Sequence, residues 1–156
     1  LHALNMVIKT KEPVLDNTYW LNINDASFPF LCVVQHTNFM DKKNYGGNHL
    51  LYLGNYLPNN HEFFRMSKAE LWKIYQPYVK KIGPIFKEKI LISNIRLFTG
   101  YFAQPVFEKN YSRVRPFGKT PLPHLYFVNL DSVYPWDRGT NYALEAGRKL
   151  AEMIGS

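Results

Sequence analysis

The segment "MSKAELWKIYQPYVKKIG", residues 66–83, constrains the fold most, because it carries a helix start, a helix stop and an apolar stripe between them. Ser67 followed three residues later by Glu70 is the signature of a capping box, in which each side chain satisfies the other residue's backbone N–H. Leu71, Ile74, Tyr75, Tyr78, Val79 and Ile82 recur at helical spacing, and Gly83-Pro84 ends the pattern. The segment reads as a helix kinked at Pro77, whose ring lacks the N–H of an internal hydrogen bond.

Before it lie four short runs rich in apolar, β-branched and aromatic residues: 3–9 (ALNMVIK), 18–23 (TYWLNI), 29–36 (PFLCVVQH) and 49–54 (HLLYLG). Pro, Asn, Asp and Gly clusters separate them, so they read as strands joined by turns. After the helix, 90–98 and 101–107 read as further strands, the second confined to an edge or a bulge by Gln104-Pro105. Residues 108–123 contain three prolines, a glycine and four basic residues and read as a long connection. "HLYFVNL" then reads as a strand, 131–139 as a turn, and the remainder as a helix with Ala143, Ala146, Leu150 and Ile154 on one face. The expected architecture is α+β: an antiparallel or mixed sheet with a long helix packed on it, then a strand, a turn and a helix. Its expected divisions are 1–107, a connection over 108–123, and 124–156.

Hydrophobic residues make up 46% of the chain and aromatic ones 16%, too apolar for a disordered segment. The single cysteine, Cys32, sits in an apolar run, which reads as a buried inert thiol and favours a reducing, cytoplasmic setting. No apolar run approaches the ~20 residues of a membrane helix, and the first residues lack the order of a signal peptide. The chain begins at "LHALNMVIKT" without an initiator Met, which reads as a cut within a longer protein. Its net charge of +7 comes from dispersed lysines and arginines with no basic run, which argues against nucleic acid as a partner.

The five histidines have no zinc-ligand spacing, so no metal site is expected, and no G-x-S-x-G elbow motivates a hydrolase. His36 and Asn38 follow an apolar run, where such residues line a pocket or cap a turn. Tyr101 and Gln104 are amphipathic groups suited either to a ligand or to packing. "DRGTN", residues 137–141, precedes the last helix. It is either an ordinary helix cap or an anion-facing turn, and Arg138 beside the positive helix end favours an anion or a pairing with Asp137.

"HLYFVNLDSVYPWDRGTNYALEAGRKLAEMI" resembles the C-terminal segment of FAD-dependent oxidoreductases of the amine oxidase and protoporphyrinogen oxidase type. Upstream, "NTYWLNINDASFPF", "QHTNF", "YGGNHLLYLGNY", the kinked helix and "YFAQPV" are similar to the substrate-binding part of a subgroup of them, so the resemblance spans the chain. It implies a sheet standing above the flavin as the roof of a cavity for a small-molecule substrate, and a C-terminal strand and helix that belong to the FAD domain of a longer protein. It implies Asp137, Arg138, Gly139, Thr140 and Asn141 as cofactor-binding residues and His36, Tyr101 and Gln104 as substrate-binding ones, with no catalytic residue assigned. The family's G-x-G-x-x-G unit is absent, so the N-terminal FAD-binding portion is missing, and this fragment alone is expected to bind FAD weakly and to be inactive. The rival expectation is a stand-alone binding module for an acidic partner or single-stranded nucleic acid.

Overall fold

The computed structural model describes residues 1–83, 86–137 and 139–155. The chain is α+β and divides into two units, Leu1–Gln104 and Pro105–Ser156.

In the first unit, β1 (His2–Thr10), β2 (Trp20–Asn22), β3 (Cys32–Gln35), β4 (His49–Leu57) and β5 (Ile95–Gly100) form one sheet in the order β2-β3-β4-β1-β5. Every pairing is antiparallel. β1 is the spine: it pairs with β4 over its whole length and with β5 over Ala3–Ile8. Because side chains alternate across a strand, Leu4, Met6 and Ile8 fall on one face and Asn5, Val7 and Lys9 on the other. The first set is buried and the second is half-buried or exposed. One face of the sheet is thus covered and the other is open.

The cover is α1 (Lys68–Ile82), which starts at the capping box expected from Ser67 and Glu70. Leu71, Trp72, Tyr75 and Val79 are buried and pack into one cluster with Leu4, Met6, Ile8, Val33, Leu51, Leu53 and Ile95. The helix runs on through Pro77, which lies on its exposed side with Lys73 one turn earlier, so the carbonyl that the proline cannot pair falls on the solvent side of the helix.

Two buried polar groups tie this core together. Gln35, fully buried, accepts the N–H groups of Val14 (2.8 Å) and Leu15 (3.2 Å) on Oε1 and donates to the Leu50 carbonyl (3.3 Å), anchoring the segment between β1 and β2. Asn55 donates to the Pro29 carbonyl (2.6 Å) and the Tyr75 hydroxyl (3.1 Å), linking sheet, loop and helix.

Two expected strands differ. Over 90–98 the strand starts only at Ile95; Ile92–Asn94 form a 3-10 turn, with Ile90 buried and Leu91 and Ile92 exposed, so the apolar run does not alternate as a strand does. Residues 101–107 form no strand: Phe102 takes a φ of 52°, outside the strand region, and turns the chain away after Gly100.

The second unit holds a two-stranded pair, β6 (Gly118–Lys119) with β7 (Tyr126–Phe127), and α2 (Thr140–Gly155). The strand expected over 124–130 is cut to two residues, since its partner segment is flanked by Pro116 and Pro121, which have no N–H to donate. Gly118, at φ 90°, admits Met153 of α2, whose Sδ would lie 2.7 Å from a Cβ there. Among the described residues of α2 only Ala146 is buried, and Leu144 and Ile154 are 70% and 53% exposed. No helix is long and apolar enough to cross a membrane among the described residues.

Gln35→Met keeps the side-chain length but strands two buried N–H groups, so urea denaturation should show a loss of roughly 2–4 kcal/mol, with faster amide exchange at Val14 and Leu15; an unchanged midpoint would show that the anchor is dispensable. Burial pushes the Tyr75 phenol up to about 12. The unfolded phenol ionises near 10, so this residue's contribution is full below that pH and is lost as pH rises towards the folded value, by roughly 3 kcal/mol. The alkaline fall in stability should be shallower in Tyr75→Phe, and parallel curves for the two proteins would refute the assignment.

Candidate functional site

The uncovered face of the first unit's sheet gathers apolar, polar and charged side chains around one hollow. Register places its side chains in two rows across all five strands. Trp20, Val34, Tyr52, Val7 and Arg96 form one; Asn22, Cys32, Gly54, Asn5 and Phe98 form the other. Leu50 and Lys9 pair in the next position on the same face. These strands enclose a shallow hollow of about 610 Å³. Its volume lies within the usual range for small-molecule sites.

The relief of the face follows from side-chain size. Trp20 stands on the edge strand β2, 53% exposed, and its Nε1 donates to Asn22 Oδ1 at 2.8 Å, which fixes the indole as a wall. Phe98 stands on the opposite edge strand β5, 56% exposed. Four strand spacings separate the two edges, about 19 Å at the usual interstrand distance. Between them the floor is low, because Val7, Val34 and Gly54 are small. At Gly54 a Cβ would lie 2.7 Å from Cys32 Sγ and 3.0 Å from Asn5 Oδ1, so any larger residue there collides with both neighbours in its row.

The polar groups of the hollow are Asn5, the Cys32 thiol and the Tyr52 hydroxyl, and its charged residues are Lys9 and Arg96. Burial pushes the Cys32 thiol up, so it stays protonated at neutral pH; the residue is half-buried on this open face, not enclosed in the core. Burial, aided by the neighbouring Tyr45 and Tyr19, also raises the Tyr52 phenol, which therefore serves as a hydrogen-bonding group and not as a base.

The residues expected from the sequence fall in three places. His36 sits at the margin of the open face: its Nε2 is 2.6 Å from the Tyr45 hydroxyl and its ring lies 5.5 Å from that of Tyr52. Its neighbour Asn38 holds a turn, with Nδ2 at 2.7 to 3.1 Å from the carbonyls of Leu15, Asp16 and Thr18. Tyr101 and Gln104 lie at the other end of β1. Tyr101, 72% exposed, packs edge-on against His2, and the Gln104 backbone pairs with Leu1 in both directions. The sheet therefore sets His36 beside Tyr52 at one end of the hollow and leaves Tyr101 and Gln104 past its other end, Tyr101 three residues beyond Phe98.

Asp137, Gly139, Thr140 and Asn141 belong to the second unit, and Arg138 lies outside the described residues. Asp137, Thr140 and Asn141 are exposed. The first internal bond of α2 runs from the Ala143 N–H to the Gly139 carbonyl (3.0 Å), so the amides of Thr140 and Asn141 stand ahead of it at the positive end of the helix. Beside this turn a hollow of about 360 Å³ is lined by Trp136 and Tyr142, which stack 5.8 Å apart at 4°, with Arg115, Glu145 and Lys149. Arg115 is engaged by the Tyr134 carbonyl (2.7 Å), and Arg148 and Lys149 hold the Glu145 carboxyl down to about 2. Glu145 and Lys149 are thus paired with each other, at 3.2 Å.

Sequence reasoning missed Trp20, Tyr52, Arg96 and Phe98. The signal for each was the alternation within its own strand, but nothing in a single strand says which residues of another strand share its face. No family model, curated protein or solved structure matches this chain.

Gly54→Ala should cost about 1–3 kcal/mol through the clash with Cys32 and Asn5. Combining it with Cys32→Ala, which removes the nearer obstacle, should recover part of that loss in a double-mutant cycle; strict additivity would show that the row is not tightly packed.

Proposed function

We propose that this chain is the substrate-binding part of an FAD-dependent oxidoreductase similar to the amine oxidase and protoporphyrinogen oxidase type, and that the open sheet face is a wall of its substrate cavity. The observation that carries the reading is the one-sided sheet: α1 seals one face, while five strands present a walled, mixed apolar and polar hollow on the other. Antiparallel sheets commonly leave one face to water, but a solvated face is ordinarily polar, whereas this one exposes Trp20 and Phe98 beside Val7, Val34 and Leu50. The second unit supplies an exposed turn of small and polar residues at the start of a 16-residue helix, which suits an oxygen-rich group such as a flavin carbonyl or a pyrophosphate. Asp137, Gly139, Thr140 and Asn141 would hold the cofactor's edge there.

Bound FAD would supply the redox chemistry by taking up a hydride from a C–H or C–N centre of the substrate. The chain's own residues orient the substrate and exclude water. Trp20 and Phe98 confine it laterally, Asn5 and Tyr52 offer hydrogen bonds from the floor, and His36 with Tyr45 closes one margin. Exposed rings on a face with two cations favour a second reading, a stand-alone platform on which single-stranded nucleic acid stacks.

The absorption spectrum of the gene product expressed from its own start codon, set beside that of the 156-residue chain, tests the first reading. Flavin bands are expected in a longer product and weak or no bands in this chain; bands in neither, with steeply salt-dependent binding of oligonucleotides, would replace it with the second.

A further inference from the structure

We infer that the open sheet face takes an acid: a flat or conjugated apolar molecule bearing a carboxylate or phosphate, and not a cationic amine. The inference rests on reading that face as a substrate surface, and it adds the sign of the charge. The hollow is lined by Lys9 and Arg96 and by no aspartate or glutamate among the described residues. Both cations are exposed, and neither has an ion-pair partner among the described residues. They also stand together. Arg96 is directly opposite Val7 across the β1–β5 pair, and Lys9 is two residues further along β1 on the same face.

The apolar part of the ligand has its own place. Val7, Val34, Leu50 and Gly54 form the floor, and the Trp20 and Phe98 walls stand about 19 Å apart at ordinary strand spacing, a span that suits an extended or fused-ring body lying across the strands. Such a body crossing from Trp20 brings its far end to the β5 margin, where Arg96 offers a planar fork for two oxygen atoms and Lys9 a point charge. An alkylammonium group in the same position would meet two like charges with no carboxylate to offset them. The face discriminates by repulsion as well as attraction. Because both cations are exposed, salt screens the preference and keeps it moderate.

The test uses the 156-residue chain with 1-pyrenebutyrate and 1-pyrenebutylammonium, fused-ring probes of opposite charge on arms of similar length, followed by fluorescence anisotropy. The acid should bind about tenfold more tightly at low salt, the worth of one charge-assisted contact. Lys9→Gln with Arg96→Gln should bring the two affinities together while leaving the thermal midpoint in place, since both side chains are exposed. Trp20→Ala should weaken both probes alike. Equal affinities in the natural sequence, or an acid preference that survives the double substitution, would overturn the inference. So would displacement of the acid by oligothymidylate at lower concentration than the acid itself, which would assign the face to nucleic acid. The flavin spectrum is independent of these readouts. Flavin in the longer protein with no charge preference here removes the acid and keeps the oxidoreductase; an acid preference with no flavin does the reverse.

Discussion

The unequal covering of strand β1 is the constraint on which the rest depends. β1 is paired on both edges over Ala3–Ile8, and its alternation sends Leu4, Met6 and Ile8 to one side and Asn5, Val7 and Lys9 to the other. Only the first set is apolar enough to hold a helix. The neighbouring strands repeat the division because antiparallel register carries it across: Val33, Leu53 and Ile95 join the buried side, while Val34, Tyr52 and Arg96 line up opposite. A slip of one residue in any strand would exchange the two sets.

That division gives one face of a small sheet to stability and leaves the other free for the binding role proposed for it. The covered face holds the apolar cluster together with Gln35 and Asn55, buried amides that satisfy backbone or hydroxyl groups and so fix the segments before β2 and β3 relative to the sheet. The open face carries the wide side chains at its edges and the small ones at its centre, and its cations have no partners among the described residues. Rigid strands supported from behind are a good mount for side chains that must hold a ligand. The second unit follows another logic: its charges pair locally on α2, as Glu145 does with Arg148 and Lys149, while Leu144 and Ile154 stay exposed.

Much of this was legible residue by residue. The capping box of Ser67 and Glu70 and the stripe from Leu71 to Ile82 locate α1 because both are local patterns. The turn before α2 was legible for the same reason, although Arg138 lies outside the described residues. The strand expected at 101–107 was not borne out, since the positive φ of Phe102 depends on surroundings that no propensity reports. His36 was marked as a residue after a strand, yet only folding sets its ring against Tyr52.

The sequence by itself located α1, α2 and the first four strands, and showed which residues within each strand point the same way, because those properties arise from neighbours in the chain. Only the tertiary structure decided that Trp20, Tyr52, Arg96 and Phe98, which come from the separate strands β2, β4 and β5, stand on one face with Lys9. Pairing register is a long-range choice, made where burial of one face outweighs the entropy of closing the loops between strands, and no local pattern records it.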